Sequence, residues 1–291
     1  MKVLVTGANG YIGSHVVDYL INHYDVDVIA CDLFLDHIND KAKKISLNIL
    51  DPSVLSEKNL YEQLGEPDIV IHLAWKDGFV HNSIAHIENL YNHYSFIKSM
   101  MMVNKITSIS VMGTMHEIGY HEGIVRNDTP CNPMSLYGIA KNALREMLLN
   151  VNNNYVTKIK WLRAYYIYGD FLRGASIFSK IAKAYQDGQN QFAMTDAQNM
   201  YDFITVSELA EQICVVSLQN KYNGIINVCS GKPVRLKDQI EKFLTDNNIK
   251  IQLNYGAYPS RLYDSPIIYG DATLVNEILA QKSNNQNKLI P

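Results

Sequence analysis

Apolar and polar residues change rhythm along this chain at short, regular intervals. Lys2-Val3-Leu4-Val5-Thr6 is an apolar, β-branched run that stops at Gly7 and predicts a strand. Beyond the turn Gly7-Ala8-Asn9-Gly10-Tyr11-Ile12-Gly13, the apolar positions Ile12, Val16, Val17, Leu20 and Ile21 recur at helical spacing. The next apolar run, Val26 to Cys31, reads as a second strand and ends on Asp32. Lys44 to Leu50 predicts a third strand, and Val54, Leu55, Leu60 and Leu64 a helix broken by Gly65-Glu66-Pro67. Asp68 to Ala74 is almost continuously apolar, as a strand covered on both faces must be.

The alternation continues. Ile84, Ile87, Tyr91, Tyr94, Ile97 and Met101 mark a long helix from His81 to Met102. Lys105–Val111 follows as a fifth strand, Pro133–Val151 as a helix opening near Ser135, and Lys158–Ile167 as a sixth strand. Strands alternating with helices predict an α/β fold, a doubly wound parallel sheet of Rossmann type. Beyond Gly169 the order loosens into a helix at Ile177–Tyr185, a strand at Phe203–Val206, a helix at Glu208–Leu218, a strand at Ile225–Val228 and a helix at Pro233–Leu244. The expected division is a dinucleotide-binding domain over 1–168 and a smaller substrate-binding lobe over 169–291, with some elements at about 203–230 returning to the first domain. The Asn/Gln/Lys-rich tail from Gln281 is expected to be loosely held.

The 291 residues are enough for a substantial core, and the formal net charge of −3 offers no general attraction to nucleic acid or to an anionic membrane. Cys31, Cys131, Cys214 and Cys229 are far apart, with no CxxC pair, so no metal site or disulfide framework is readable. The first strand begins at once and no apolar run has the length to span a bilayer, which predicts a cytosolic location.

The first βαβ unit has a chemical reading. Its glycines permit a tight turn and a close approach to a pyrophosphate, and the helix N-terminus offers unpaired N–H groups with a partial positive charge. Asp32, 19 residues after Gly13, stands where an acid binds ribose hydroxyls. Asp32 is followed by Leu33 with no adjacent cation, so NAD(H) is preferred and NADP(H) is the second choice. The other reading of the same residues is a glycine-rich turn in an unliganded sheet. Tyr137-Gly138-Ile139-Ala140-Lys141 sets a phenol and an ammonium on one helix face, where the cation would stabilise a phenolate during proton transfer. An exposed helix pair gives the same spacing by chance.

Taken together, the GxxGxxG turn, Leu73-Ala74, Thr114, Pro133 to Lys141, Arg163, Tyr168-Gly169, Asp202 to Val206, Asn227 to Gly231 and Arg261 resemble the extended short-chain dehydrogenases that act on nucleotide sugars. The resemblance runs from Val3 to about Asp271. It implies a Rossmann domain with a small substrate lobe, catalysis by Thr114, Tyr137 and Lys141, and a nucleotide-diphosphate sugar as substrate. It also implies cofactor contacts at Gly7, Gly10, Tyr11, Ile12, Gly13, Asp32, Leu33, Asn48, Ile49, Leu73, Ala74, Trp75, Asn89, Tyr137, Lys141 and Ile167. Substrate contacts are implied at Thr114, Met115, His116, Tyr137, Tyr166 and Arg261.

Thr114-Met115-His116 stands where the 4,6-dehydratases carry Thr-Asp-Glu, so the acid and base for eliminating water are missing. Tyr201 and Tyr166 replace an expected Arg and Asn, which shifts diphosphate binding towards Arg261. His116 is open to three readings: a core or surface histidine, a partner of the hexose, or a base. Met112 to Glu117 with Ser135 to Lys141 is most similar to the dTDP-4-dehydro-6-deoxyglucose reductases that make dTDP-fucose. A 4-epimerase that retains NAD and a non-catalytic dinucleotide sensor are the alternatives. The surplus apolar residues Leu90, Phe96 and Met100, with Ile139, Leu144, Met147 and Leu148 on the later helix, predict a homodimer through these two helices.

Overall fold

Strand β1 (Lys2–Thr6) lies next to the central strand of a seven-stranded sheet, and the chain winds outward from it in both directions. The computed structural model describes residues 1–171, 173–260 and 264–286. Helix α1 (Tyr11–His23) returns the chain to β2 (Asp27–Asp32), and β3 (Lys43–Ser46) closes that edge. Two short helices, α2 (Pro52–Leu55) and α3 (Leu60–Gln63), lead to β4 (Ile69–His72). Then come α4 (Ala85–Glu88), α5 (Leu90–Met102), β5 (Ser108–Thr114), a single 3-10 turn at Met115–Glu117, and β6 (Gly123–Val125). Helix α6 (Leu136–Asn152) precedes β7 (Lys158–Ala164) and β8 (Tyr166–Tyr168). Helix α7 (Ile177–Gln186), β9 (Gln191–Ala193), β10 (Met200–Thr205), α8 (Val206–Leu218) and β11 (Gly224–Val228) follow. The remaining elements are β12 (Pro233–Arg235), α9 (Leu236–Asp246), β13 (Gln252–Asn254), β14 (Ile267–Gly270) and α10 (Thr273–Gln286).

The main sheet has the order β11-β7-β5-β4-β1-β2-β3 with every pair parallel. This is the doubly wound Rossmann arrangement, and its apolar interior follows from the sequence: all of β4 and β5 is buried. One core lies on the α1 and α8 side of the sheet; the other, with Phe96, Met100, Leu144 and Trp161, lies beneath α5 and α6. Each large apolar side chain fully buried there contributes about 1.5–3 kcal/mol. A second sheet, β12-β10-β14-β6 with β8 beside β10, stands next to the first. No helix among the described residues is long and apolar enough to cross a membrane.

Several predicted elements end differently, for local reasons. The expected long helix at 81–102 breaks at Asn89, whose Nδ2 donates to the Ala85 carbonyl, and His81 lies in the loop ahead of α4 with its carbonyl accepting from Tyr137 N. The helix expected over 54–64 is two single turns. The sixth strand divides at Tyr165, because Tyr166–Tyr168 leaves the main sheet to pair with β10. Pro233 opens a strand, and the helix starts only after Arg235. The tail expected to be loose from Gln281 is helical to Gln286, and Lys282 Nζ donates to Tyr19 Oη at 2.8 Å.

Asp202 ties the second sheet together. Its buried carboxylate accepts from Ser230 N at 2.8 Å, Ser230 Oγ at 2.6 Å, Gly231 N at 2.9 Å and Gly270 N at 3.1 Å. Asp202→Ala leaves three backbone donors, one buried and two partly buried, without this acceptor and is expected to lower stability by roughly 2–4 kcal/mol. Urea unfolding followed by circular dichroism measures this; an unchanged midpoint would show that the carboxylate does not hold these strands.

Candidate active site

The carboxyl ends of the parallel strands converge on one side of the sheet, where ligands bind in this architecture. The turn after β1 runs tightly against β4. A Cβ on Gly7, where φ is +70°, would lie 2.5 Å from Ala74 N, and one on Gly13 would lie 2.0 Å from the Gly7 carbonyl oxygen. Only glycine permits this packing. No side chain caps α1, so the N–H groups of its first turn have no side-chain acceptor, the condition under which a helix N-terminus can receive an anion. Asp32 is held at the end of β2 by Asn9 N at 2.9 Å and Leu33 N at 2.7 Å, which fixes its carboxylate for ribose hydroxyls. Leu73 and Ala74 line the turn half-buried, Leu33 and Asn48 are exposed, and Ile49 is packed in the core. These residues fit a dinucleotide.

Tyr11 Oη donates to the Gly169 carbonyl, and Arg173, from the segment after β8, donates to Ser14 Oγ and to the Asn9 carbonyl, each at 2.8 Å. The reading of the sequence missed Arg173, for which no spacing signal exists.

Ser135 caps α6 by accepting from Gly138 N, which starts the helix one residue before Tyr137. Tyr137 and Lys141 consequently share a face. Lys141 is 3 % exposed; its Nζ donates to the Met112 carbonyl at 2.7 Å and lies 3.7 Å from the centroid of the Trp75 ring. Burial pulls its pKa down to about 7, against the opposing charge of Glu117. The Tyr137 phenol is pushed upward by burial, while a hydrogen bond with Thr114 acts in the other direction. Thr114 is the last residue of β5, buried, with its Oγ1 accepting from His116 N at 3.2 Å. The predicted catalytic set is thus assembled at one place.

Imidazoles surround it. His116 lies beside His81, ring centroids 4.3 Å apart, and both rings flank Tyr137. Burial, reinforced by His81, lowers the His116 pKa to about 3, so His116 is neutral. His86 Nδ1 accepts from Trp75 Nε1 at 3.0 Å, which leaves Nε2–H to donate to the Val80 carbonyl. Deeper, His72 bridges Thr6 Oγ1 at 2.8 Å and His93 Nδ1 at 2.9 Å, and His93 stacks on Trp75.

Of the remaining predicted residues, Met115 is packed into the core, Asn89 begins α5, Tyr166 stacks on Tyr201 and Ile167 pairs with Ile204 in β10. Arg261 lies outside the described residues. The reading of the sequence also passed over Glu117 and Arg145, although Thr114 to Glu117 has the spacing of a capping box and Arg145 follows Lys141 by four.

The family model for the NAD dependent epimerase/dehydratase family matches residues 3–229. The chain belongs to this family. Within the epimerase/dehydratase family it is 39% identical over 274 residues to the dTDP-6-deoxy-L-talose 4-dehydrogenase (NAD(+)) of Aggregatibacter actinomycetemcomitans, covering 93% of this chain and 99% of that protein. The fold is also that of MoeE5, solved in complex with UDP-glucose and NAD, with a TM-score of 0.80 at 21% identity over 96% of this chain and 92% of that one. A UDP-glucuronic acid 4-epimerase from Bacillus cereus, solved with UDP-glucuronic acid and NAD, gives a TM-score of 0.78 at 20% identity over 96% and 93%.

Burial lowers the His72 pKa from 6.5 to about 3, with Lys141 adding to the effect. The unfolded chain therefore takes up a proton below pH 6.5 that the folded chain refuses. The stability due to neutral His72 is complete above 6.5 and falls by roughly 1.4 kcal/mol per pH unit below it. Urea unfolding of the wild type and His72→Asn at neutral pH and near pH 5 isolates this, the wild type losing about 2 kcal/mol more than the variant on acidification. Equal losses would show that His72 is not held neutral.

Proposed function

We propose that this protein moves hydride between NAD and C4 of a dTDP-linked 6-deoxyhexose, interconverting the 4-keto and 4-hydroxy sugars. The observation that carries the proposal is the joint placement of Thr114, Tyr137 and Lys141 beside a glycine turn and ribose-binding acid, in a chain so similar to a dTDP-sugar 4-dehydrogenase. The nicotinamide ring, when bound, supplies or takes up the hydride. In the reducing direction Tyr137 gives its proton to the sugar O4, and the Thr114 hydroxyl stabilises the charge developing there. Lys141 places a cation below the phenol and lowers the cost of forming phenolate, the proper place for an ammonium that burial has already brought close to neutrality. Microscopic reversibility makes Tyr137 the base in the oxidising direction.

The expectation of a dTDP-fucose-forming reductase is thereby broadened to a C4 oxidoreductase, because the relative at 39% identity is named as a dehydrogenase of the 6-deoxy-L-talose series. Asp32 favours NAD over NADP, since a 2′-phosphate would face its carboxylate.

Purified protein mixed with NADH and a dTDP-4-keto-6-deoxyhexose is expected to consume NADH, and Tyr137→Phe to slow turnover by about 10²–10⁴-fold while NADH binding is unchanged. No oxidation across several ketosugars would defeat the proposal. Interconversion of nucleotide hexoses with no net change in NADH would assign 4-epimerisation instead.

A homodimer belongs to the same reading, through a surface that keeps Ile139 of the residues first expected but not Phe96, Met100, Leu144 or Leu148, which are buried. Phe96 and Met100 are consumed by the protein's own core, whereas Ile84 at 60%, Ile87 at 39%, Tyr91 at 73% and Ile139 at 44% exposure leave an apolar surface on α4, α5 and α6. Sedimentation equilibrium at micromolar concentration should give twice the chain mass, falling to the monomer when Ile87 and Tyr91 are both changed to Glu; a monomeric wild type would refute the dimer.

A further inference from the structure

Glu117 is a carboxylate with no contact to water, 0% exposed, directly behind the catalytic threonine. Its Oε1 accepts from Thr114 N at 2.7 Å and from Trp161 Nε1 at 2.9 Å; Oε2 lies 3.1 Å from Trp161 Nε1, 3.5 Å from Arg163 Nε and 3.6 Å from Arg145 Nε. Desolvation of this kind is costly unless partners compensate, so a fully enclosed ionisable group with two arginines is a built feature. The space is filled: a Cβ on Gly113 would lie 2.2 Å from Trp161 Nε1 and 2.8 Å from Glu117 Oε1.

The partners of Glu117 lie on separate parts of the site. Thr114 ends β5, Arg163 belongs to β7, and Arg145 lies on α6. Tyr137, Lys141 and Arg145 follow one another at intervals of four, so they form one stripe of that helix. The carboxylate therefore joins the strand end that carries the oxyanion donor to the helix stripe that carries the proton donor and its cation. By taking the Thr114 N–H, it fixes the corner at which Thr114 Oγ1 accepts from His116 N, with the hydroxyl itself turned to its hydrogen bond with Tyr137.

We propose that Glu117 is a positioning residue for the hydride-transfer site: its buried carboxylate, bonded to Thr114 N on one side and facing Arg145 of the α6 stripe on the other, sets Thr114 against the Tyr137–Lys141 face of α6 and presents a negative charge behind it. This rests on the functional reading above, since Thr114, Tyr137 and Lys141 have these roles only if the site acts on a ketosugar. Among the described residues, the titratable groups around Lys141 are Tyr137 on its own helix, Glu117 from the turn after β5, His72 from β4 and His93 from α5, with the Trp75 ring beneath it. Burial raises the Glu117 carboxyl above its usual range, and Arg163, the Thr114 N–H, Trp161 and Arg145 oppose that shift; Cys131 and Tyr165 feel its charge. Both Glu117 oxygens face donors only, as a carboxylate requires. Both histidines are driven neutral by burial, so among the described residues Glu117 is the anion acting on Lys141, and its influence opposes the desolvation of the lysine.

The test uses Glu117→Gln, which keeps size and hydrogen-bonding reach but removes the charge, and Glu117→Asp, which keeps the charge but withdraws it from the Thr114 N–H. With ¹³C-labelled lysine, and the Lys141 signal assigned by its loss in Lys141→Met, NMR titration of the NAD-bound protein should show Lys141 losing its proton about one pH unit lower in Glu117→Gln than in wild type or Glu117→Asp. In turnover, Glu117→Gln should lose about 10–100-fold in kcat with KM nearly unchanged, and the alkaline fall of its kcat profile should move to lower pH; Glu117→Asp should lose kcat without that displacement. Identical lysine titrations in all three proteins, or wild-type kcat in both variants, would overturn the proposal. If Glu117→Gln does not fold, Glu117→Asp decides, since wild-type kcat there would show that the bond to Thr114 N has no positioning effect. A wild type that turns over no ketosugar would defeat the functional reading alone, and the lysine titration would still decide whether Glu117 holds the charge of Lys141.

Discussion

The burial of one ammonium group governs the design of this site. Lys141 is withdrawn from water on a helix that packs against the carboxyl ends of the sheet strands, and its positive charge is met by the Met112 carbonyl, the face of Trp75 and, at longer range, Glu117. A cation in such a place is expensive to keep and correspondingly effective on its neighbours. His72 and His93 are held neutral by the same withdrawal from water, with the charge of Lys141 adding a smaller effect.

The frame that makes this placement possible is the parallel sheet. Each strand ends where the next helix or turn begins, so the glycine turn after β1, Asp32 after β2, Ala74 after β4 and Thr114 at the end of β5 all reach one edge. Ala74 leaves no room for a side chain on Gly7, and the Gly7 carbonyl leaves none on Gly13. A pyrophosphate proposed at this turn would be met by backbone, while discrimination and chemistry would belong to side chains set around it.

Much of this was legible in the sequence, because it rests on local periodicity. The first βαβ unit, the apolar β4 and the Ser135-capped helix with Tyr137 and Lys141 are each fixed by residues within a few positions of one another. The elements misjudged are those decided at long range. Tyr166–Tyr168 continues an apolar run yet changes sheets because β10 offers it a partner, and the 81–102 segment looks like one helix until its backbone is required by the loop that receives Tyr137 N. Phe96 and Met100 appeared to be surplus because the periodicity of α5 cannot show that α6 and β5 bury them. The clustering of His72, His81, His86, His93 and His116 is likewise a product of topology, with no spacing to announce it.

The family fixes the class of chemistry, and the parts proposed for it are a proton through Tyr137, charge stabilisation by Thr114, and a cation at Lys141 with Glu117 behind the site. The most direct measurement of hydride transfer to the sugar is isotopic. NADH carrying deuterium at nicotinamide C4 is incubated with a dTDP-4-keto-6-deoxyhexose, and the product is examined by mass spectrometry and proton NMR. One deuterium bound to sugar C4 is the predicted result; a product without deuterium, or with it at another carbon, would contradict the account.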